Sequence, residues 1–244
     1  MRDLVVVTGA RQGIGHAIAR RLARSGRYDV AMLDIAGIEP DVLDEVRAAG
    51  AAVRSLTVDV SSETDVAAAV RELTAAARVR AVVNNAGVFP RSPAVDMPFA
   101  EWMRVVTVNL GGAFLVSRGF APHMLEAGGG SIVNITSGRA IGGAPSGSHY
   151  SASKAGLIGL TRSLALEWAP HIRVNAVMPG ITDTPLVRAE GRSEEAMRER
   201  ASRIPLGRIG EADDVAGVVD FLLGEDAAFM TGQTVAVNGG AQFL

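Results

Sequence analysis

Short apolar runs rich in β-branched residues alternate with amphipathic segments along the whole chain. The runs at 4–8, 30–33, 53–58, 79–83, 131–136, 173–177 and 234–237 are too short for helices and predict buried strands. The segments at 13–25, 42–48, 63–76, 99–127 (one long helix or a broken pair), 150–168 and 212–223 predict helices. This alternation predicts an α/β fold in which one doubly wound parallel sheet of about seven strands carries helices on both faces.

Residues 1–244 show no repeat and no composition shift, so we expect a single domain for both binding and catalysis. Open parallel sheets bind ligands at the carboxyl ends of their strands, so the residues that follow each strand are the candidates for function. The longest irregular stretch is 181–205, which carries several charges and a glycine. A loop of this length in a compact domain predicts a lid or a substrate loop.

The composition excludes several classes of protein. A net charge of −2 gives no reason to expect nucleic acid or an anionic membrane as a partner. The absence of cysteine excludes disulfides, a Cys–Zn site and a thiolate nucleophile, and no metal site is expected. The first residues lack the shape of a signal peptide, and no apolar run approaches the roughly 20 residues of a membrane span. We therefore expect a soluble, cytoplasmic protein.

A glycine-rich turn, TGARQGIG at residues 8–15, joins the first strand to the first helix. Gly9 permits a tight turn, Gly13 allows backbone to approach a pyrophosphate, and Gly15 lets the helix pack close to the sheet. The free N–H groups and positive dipole of the helix N-terminus favour phosphate. An ordinary βα turn has the same composition, but its position after the first strand favours a dinucleotide.

The TGxxxGxG spacing resembles the short-chain dehydrogenase/reductase family, in its compact single-domain branch, and the resemblance covers essentially the whole chain. It implies a Rossmann-type fold and a nicotinamide dinucleotide. Asp59-Val60, NNAG at 84–87 and Pro179-Gly180 also resemble family signatures, with Asn84 implied to brace the sheet. The implied cofactor-binding residues are Gly9, Arg11, Gln12, Gly13, Ile14, Gly15, Asp34, Asp59, Val60, Asn85, Ala86, Gly87, Tyr150, Lys154, Pro179, Gly180 and Thr182.

Asp34 ends the second strand about 20 residues past the glycine turn, where a carboxylate can accept hydrogen bonds from ribose hydroxyls. It would repel a 2′-phosphate, because two unit charges about 4 Å apart interact by roughly 4 kcal/mol at an effective dielectric near 20. We therefore expect NAD rather than NADP. Arg11 in the turn argues the other way, and Asp34 could instead cap a turn.

Tyr150 and Lys154 lie four residues apart on a predicted helix, so they share a face. With Asn109 and Ser137 they resemble the catalytic Asn–Ser–Tyr–Lys tetrad of the family. A phenol with a pKa near 10 needs help to act as a base, and Lys154, with oxidised nicotinamide, is expected to supply it. Lys154 is the only lysine among 24 cationic side chains, which fits a site where a guanidinium would be too wide.

The resemblance implies that Ser137 binds the substrate oxygen and that Asn109 holds a water or backbone geometry linking Lys154 to solvent. Taken singly, these four side chains could be a packing tyrosine, a solvated lysine, a turn serine and a helix asparagine. The candidate substrate-binding residues are Ser137, Arg139, Gly143 and Tyr150, with Val88 and Phe89 also candidates by position. Arg188 or Arg192 could meet an anionic substrate, although solvated loop charges are expected, and His149 could line the pocket or point away.

The predicted helix at 150–168 carries small and apolar residues on more than one side, which predicts a subunit interface and a homotetramer. The preferred function is an NAD-dependent dehydrogenase of a secondary alcohol, polyol or sugar. One alternative is an NADPH-dependent 3-oxoacyl-thioester reductase, against which Asp34 argues. The other is a non-catalytic dinucleotide-binding regulatory protein, against which the complete tetrad argues.

Overall fold

Seven parallel strands form one sheet in a computed structural model that describes residues 2–188, 191 and 193–243. The strands are β1 (Asp3–Thr8), β2 (Tyr28–Asp34), β3 (Val53–Thr57), β4 (Val79–Asn84), β5 (Gly130–Ile135), β6 (Ile172–Pro179) and β7 (Thr234–Val237). Their order is β3-β2-β1-β4-β5-β6-β7, so the chain reverses direction across the sheet between β1 and β4. The predicted fold class is confirmed, and the reversal point is where such sheets bind ligands.

Helices cover both faces of this sheet. They are α1 (Gly13–Arg24), α2 (Pro40–Ala48), α3 (Glu63–Ala76), α4 (Phe99–Val106), α5 (Gly112–Glu126), α6 (Arg139–Gly142), α7 (Ser148–Trp168), α8 (Pro185–Arg188), α9 (Glu194–Ser202) and α10 (Ala212–Leu223). A π-helical turn, Thr107–Gly111, joins α4 to α5, and a 3₁₀ turn, Glu225–Ala227, follows α10.

In β1, β2, β4, β5 and β6, residues on the two faces of the sheet enter different cores, as the two-residue period of a strand requires. In β1, Val5 and Val7 pack with Leu22 of α1 and Val219 of α10. Leu4 and Val6 belong instead to a second core with Leu73 of α3, Phe120 of α5 and Leu164 of α7. Burial on both faces explains why the strands are continuous apolar runs rather than alternating ones.

The predicted helix at 99–127 is a broken pair whose two parts are joined by the π turn. Within the described residues, the combined run Phe99–Glu126 is the one helix long and apolar enough to cross a bilayer by length and composition. The expectation that no segment approaches that length is therefore wrong. The run contains Glu101, Arg104, Arg118, His123 and Glu126, and α5 packs against α3 and β4.

The expectation that 181–205 is irregular is wrong in its described part, whereas its role as a lid or substrate loop remains a prediction. It contains α8 and α9. The hydroxyl of Ser193 caps α9 by accepting a hydrogen bond from the backbone N–H of Ala196 at 3.2 Å, and Glu194 and Glu195 occupy the first turn. An N-cap and early acidic residues favour a helix, and this local pattern identifies α9.

Candidate active site

The glycine-rich turn after β1 is joined to the NNAG segment after β4 by side-chain hydrogen bonds. The hydroxyl of Thr8 accepts from the backbone N–H groups of Asn85 (3.0 Å) and Ala86 (3.1 Å). The amide of Asn85 donates to the carbonyl oxygens of Thr8 (3.0 Å) and Gly9 (2.9 Å). The turn is therefore held by the neighbouring strand end as well as by its own backbone.

Three glycines in this turn occupy positions where a side chain would be strained or would clash. Gly9 and Gly13 have φ values of +63° and +60°, in the left-handed region. A Cβ on Gly15 would lie 2.2 Å from the carbonyl oxygen of Gly9. Gln12, the N-cap of α1, makes no side-chain capping bond within the described structure, which leaves the first N–H groups of the helix for a ligand. This cradle fits a dinucleotide phosphate.

Asp34 lies at the carboxyl end of β2, beside this turn. Its Oδ2 accepts a hydrogen bond from the backbone N–H of Arg11 (3.1 Å), and its Oδ1 accepts from that of Ala36 (3.2 Å). The guanidinium of Arg11 pairs with Glu39 at 3.0 Å. Asp34 thus does cap a turn, and it also places a carboxylate next to the glycine turn.

The Asp59-Val60 pair after β3 is divided between two environments. Asp59 accepts hydrogen bonds from the backbone N–H (2.9 Å) and hydroxyl (2.6 Å) of Ser61. Val60 is buried, and a Cβ on Gly112 would lie 2.7 Å from its Cγ2. The pair closes the turn before α3, and its predicted contact with the cofactor remains a prediction.

Asn84 links the centre of the sheet to the helices behind it. Its Nδ2 donates to the oxygens of Ser117 on α5 and Asn134 on β5, each at 2.8 Å. Asn134 in turn donates to the hydroxyl of Thr161 on α7 at 2.9 Å. This buried network agrees with the bracing role that the resemblance implied for Asn84, since it fixes β4, β5 and α7 relative to one another.

Tyr150, Lys154 and Ser137 meet where β5 ends against the first turns of α7. The ammonium of Lys154 lies 5.8 Å from the ring centroid of Tyr150 and donates to the carbonyl of Ile135 at 2.8 Å. Lys154 is only 4% exposed, and this burial lowers its pKa to about 8. Burial raises the pKa of Tyr150, and the hydrogen bond from Ser137 and the charge of Arg139 both oppose that rise.

A cation that the sequence analysis did not identify also acts on Tyr150, because the charge of Arg139 favours the phenolate while burial raises the pKa. The effect expected of Lys154 together with oxidised nicotinamide remains a prediction. The ammonium of Lys154 is directed to the carbonyl of Ile135. Loss of hydration favours the neutral phenol over the charged phenolate.

Asn109 is buried in the π turn and connects the NNAG segment to α7. Its Oδ1 accepts from the backbone N–H of Val88 (2.8 Å), and its Nδ2 donates to the carbonyl of Val88 and the hydroxyl of Ser153 (both 3.1 Å). Ser153 donates to the carbonyl of Tyr150 at 2.8 Å. A Cβ on Gly87 would lie 3.2 Å from Oδ1 of Asn109 and 3.5 Å from the ammonium of Lys154, so Gly87 keeps the space beside them open.

A cleft of about 510 Å³ opens at the carboxyl ends of β1, β4, β5 and β6. It contains most of the predicted site residues that follow these strands and α7, namely Ile14, Asn85, Gly87, Ser137, Arg139, Gly143, Tyr150, Lys154, Pro179, Gly180 and Thr182. Phe89 also lines it and packs on Tyr150 with ring centroids 4.4 Å apart. The structure thus brings Ile14 of the glycine turn, the tyrosine and the lysine to one cleft.

His149 and Arg188, whose orientation the sequence left open, do not line this cleft. His149 is fully buried, its Nδ1 accepts from the backbone N–H of Tyr150 at 2.8 Å, and its Nε2 lies 3.5 Å from Glu101 on α4. Arg188 forms a two-pronged pair with Asp183, both contacts 2.7 Å. Arg192 lies outside the described residues.

The cleft also has walls that the sequence did not identify. They include Arg91, Arg200 on α9, and Asn238, Ala241 and Gln242 in the segment after β7. The side chain of Gln242 lies against Gly138 and Gly142, where added Cβ atoms would lie 2.5 and 2.2 Å from it. No local motif marks these residues, because their place depends on contacts between distant parts of the chain.

A doubly wound sheet with a phosphate cradle and a tyrosine–lysine pair in one cleft defines a dinucleotide-dependent oxidoreductase. The family model described as "Enoyl-(Acyl carrier protein) reductase" matches residues 9–242. The chain is 40% identical over 240 residues to cis-4-hydroxycyclohexanecarboxylate dehydrogenase from Sinomonas cyclohexanicum, covering 97% of this chain and 95% of the relative. The chain belongs to the short-chain dehydrogenase/reductase family, and it is an oxidoreductase that acts on CH–OH groups.

Two further likenesses point to different activities. The chain is 40% identical over 240 residues to 3-oxoacyl-(acyl-carrier-protein) reductase from Pseudomonas aeruginosa, covering 97% of this chain and 96% of the relative. A solved structure from Beutenbergia cavernae, a proposed NAD(P)-dependent gluconate 5-dehydrogenase with NADP bound at low occupancy, has a TM-score of 0.92. It is 38% identical, with 98% of this chain and 96% of that chain covered.

Proposed function

We propose that the chain interconverts a secondary alcohol, of the alcohol, polyol or sugar class, and its ketone with NAD as the hydride carrier. The observation that carries the proposal is that Ser137, Tyr150 and Lys154 line one cleft together with Ile14 of the glycine turn and Asn85 of the NNAG segment. Neither half of the cleft performs this reaction alone, since hydride transfer needs the dinucleotide and the proton-transfer group side by side.

Each residue has a role that follows from its position. A bound nicotinamide dinucleotide supplies the hydride acceptor when the alcohol is oxidised. Ser137 binds the substrate oxygen, and Tyr150, hydrogen-bonded to Ser137, takes the hydroxyl proton as a phenolate. Arg139 favours that phenolate, and Lys154 and the charge of oxidised nicotinamide would favour it further. Lys154 binds ribose hydroxyls with a compact ammonium, and Asn109 positions α7 through Ser153 and Val88.

The proposed preference for NAD over NADP rests on the charges beside the glycine turn. Asp34 places its carboxylate there, and Glu39 holds the guanidinium of Arg11. A 2′-phosphate would meet two carboxylates and would have to draw Arg11 away from its partner. The similar structure with NADP bound supports the opposite preference, and turnover with each cofactor distinguishes the two.

The second candidate is reduction of a 3-oxoacyl thioester with NADPH. It is supported by the 40% identity to the Pseudomonas aeruginosa reductase, which equals that to the hydroxycyclohexanecarboxylate dehydrogenase. The same tyrosine would then donate its proton to the reduced carbonyl oxygen. Asp34 opposes this alternative because NADPH carries the 2′-phosphate.

We also propose a cytoplasmic homotetramer that binds neither nucleic acid nor membrane. The outer face of α7 supports self-association, because Ala155 and Gly159 are exposed there and Leu166 is 83% exposed. Phe114 on α5 adds a further exposed apolar side chain. Burial of such faces drives subunit association, and sedimentation of a monomer would remove this part of the proposal.

The purified protein should be screened with NAD and NADP against secondary alcohols, polyols, sugars and a 3-oxoacyl thioester. We expect oxidation of an alcohol with NAD, and we expect Tyr150→Phe to reduce kcat by about 10²- to 10⁴-fold. The NAD dissociation constant of the variant should stay within about twofold, because the ring remains. Turnover that survives in Tyr150→Phe would contradict the mechanism, and NADPH-dependent thioester reduction alone would favour the second candidate.

A further inference from the structure

Two polar contacts hold the backbone of Tyr150, one on its carbonyl and one on its N–H. The hydroxyl of Ser153 donates to the carbonyl at 2.8 Å, and Nδ2 of Asn109 donates to that hydroxyl at 3.1 Å. The backbone N–H of Tyr150 donates to Nδ1 of His149 at 2.8 Å. The first contact belongs to the tetrad already described, whereas the proposed function gives His149 no role.

The contact on the N–H side takes the place of a helix cap. Helix α7 begins at Ser148, and its N-cap, Gly147, has no side chain with which to cap it. The N–H groups in the first turn of a helix have no acceptor within the helix, and Tyr150 is the third residue of α7. The ring of His149 therefore supplies an acceptor at the residue that carries the phenol.

This contact also fixes which ring nitrogen of His149 carries the proton. A backbone N–H can only donate, so Nδ1 has no proton and the ring proton is on Nε2. Nε2 lies 3.5 Å from Oε1 of Glu101, and among the described residues neither of these buried atoms has a hydrogen-bond partner. A buried donor and a buried acceptor without other partners gain free energy by closing such a gap, since leaving them unpaired is costly.

Glu101 reaches the ring because α4 packs against α7. Only the tautomer with its proton on Nε2 suits both neighbours of the His149 ring. The other tautomer would place an N–H against the N–H of Tyr150 and would leave the carboxylate beside a nitrogen that cannot donate. Glu101 thus favours the tautomer that binds the backbone of Tyr150.

We propose that His149 is a positioning residue for Tyr150, and that Glu101 holds His149 in the required tautomer. This inference rests on the proposed function, in which Tyr150 takes the proton, and it adds two residues to that function. Ser137 follows β5 and does not belong to α7, so a shift of the first turn of α7 moves the phenol relative to the Ser137 hydroxyl. A displacement of about 1 Å at a reacting group can lower the rate by about a hundredfold.

Substitutions at His149 separate the functions of its two ring nitrogens. His149→Asn offers an amide oxygen at the position of Nδ1, because both atoms are attached to Cγ, and it lacks Nε2. His149→Leu keeps an apolar side chain and lacks both nitrogens. The matched control is His123→Leu, since Nε2 of His123 also accepts a backbone N–H, that of Val79 at 3.4 Å, and His123 does not line the cleft.

We expect His149→Leu to reduce kcat about tenfold, because the phenol is displaced, and to leave the NAD dissociation constant within about twofold. His149→Asn should retain at least about a third of the wild-type kcat. Glu101→Met should reduce kcat about threefold, whereas Glu101→Gln, which keeps an oxygen for Nε2–H, should reduce it less than about twofold.

His123→Leu should lose stability in urea without a change in kcat. A kcat that His149→Leu leaves at the wild-type value would overturn the proposal. So would equal losses of kcat in His149→Leu and His123→Leu, or in His149→Leu and His149→Asn.

A titration of the phenol separates this proposal from the proposed function. Tyr28 and Tyr150 are the only tyrosines of the chain, so in a Tyr28→Phe background the absorbance of tyrosinate, recorded after rapid pH jumps, reports Tyr150. The hydrogen bond with Ser137 lowers the pKa of this phenol, and its loss in His149→Leu should raise the midpoint by about 1 pH unit. His149→Asn and His123→Leu should leave the midpoint unchanged.

A midpoint that rises in His149→Leu alone supports the positioning role even if no alcohol is turned over and the proposed function fails. A midpoint that His149→Leu leaves unchanged contradicts the positioning role even if the protein oxidises alcohols.

Discussion

The cofactor side and the substrate side of the cleft are built in different ways. On the cofactor side, the turns after β1 and β4 are bonded to each other through Thr8 and Asn85. On the substrate side, neither α8 nor α9 contains a fully buried residue. A segment with few buried contacts can open without unfolding the domain. The cleft therefore combines a rigid cofactor side with a substrate side that can change conformation at a smaller cost in free energy.

The largest effect is expected from a substitution in the glycine turn on the cofactor side. Gly15→Ala places a Cβ 2.2 Å from the carbonyl oxygen of Gly9, and backbone must move to relieve the clash. We expect the free energy of unfolding to fall by about 3 kcal/mol, as overpacking does, and the NAD dissociation constant to rise at least tenfold. Urea unfolding and calorimetry measure the two quantities.

Gly217→Ala is the matched control, because a Cβ there meets no atom of the described structure within 4 Å. Gly217 lies inside α10, where alanine is favoured over glycine by up to about 1 kcal/mol. We expect this variant to be as stable as the wild type or more so, with unchanged NAD affinity. If Gly15→Ala behaved in the same way, the account of the glycine turn would be wrong.

The next effect concerns the buried ammonium of Lys154. Its pKa is about 8 in the folded protein and 10.5 ordinarily, so the unfolded chain binds more protons between these values. Stability therefore rises with pH across this window, by about 3 kcal/mol for the 2.5-unit difference, as the lysine loses its buried charge. Lys154→Met has no ammonium and therefore lacks this pH-dependent contribution to the free energy of unfolding.

The contribution of Lys154 to stability is measured by parallel urea titrations of the wild type and Lys154→Met at pH 7.5 and pH 10.5. The variant's stability relative to the wild type should be more favourable at pH 7.5 than at pH 10.5, because groups common to both proteins cancel. A difference that does not change with pH would show that the ammonium is not buried as described.

A smaller effect tests the charge beside the cofactor. Asp34→Asn removes the carboxylate next to the glycine turn, and we expect the ratio of NAD to NADP affinity to fall about tenfold, or about 1.4 kcal/mol. The control is Asp44→Asn, which changes the charge equally on α2, where Asp44 pairs with Arg47. Fluorescence titration with both reduced cofactors measures the ratio, and equal ratios in the three proteins would refute the proposed preference.

The smallest effect compares two helix caps of the same kind. Ser62 caps α3 and Ser193 caps α9, each accepting a backbone N–H at 3.2 Å. Ser62→Ala should reduce the free energy of unfolding by about 1 kcal/mol, because α3 is part of the core. Ser193→Ala should leave the free energy of unfolding nearly unchanged and alter KM instead, because α9 buries no residue fully and such a segment can open without unfolding the domain. Equal losses of stability would show that α9 is as tightly coupled to the core as α3.

Local signals explain what the sequence could predict. The predicted bounds of α3, α10 and β7 agree with the structure, at Glu63–Ala76, Ala212–Leu223 and Thr234–Val237. Ser62 supplies a cap before α3, and a β-branched run defines β7. The glycine turn, Tyr150 and Lys154 could also be located, because their spacing is carried by one strand–helix junction and one helical turn.

The rest of the cleft depends on contacts between distant segments. Gln242 reaches the cleft because it packs on Gly138 and Gly142, and Arg91 because it approaches Phe89. The effect of Arg139 on Tyr150 arises from the ends of β5 and α7 meeting in space. Neither residue type nor local spacing encodes such proximity, so we assigned the electrostatic role to Lys154 with oxidised nicotinamide and did not identify Arg139.

The most direct test of the central claim is a crystal structure of the protein with NAD bound. We expect the pyrophosphate on the N–H groups at the start of α1, the adenosine ribose beside Asp34, and the nicotinamide between Tyr150 and the Pro179-Gly180 segment, with Lys154 on the ribose hydroxyls. A pyrophosphate bound elsewhere, or a nicotinamide ring remote from Tyr150, would contradict it.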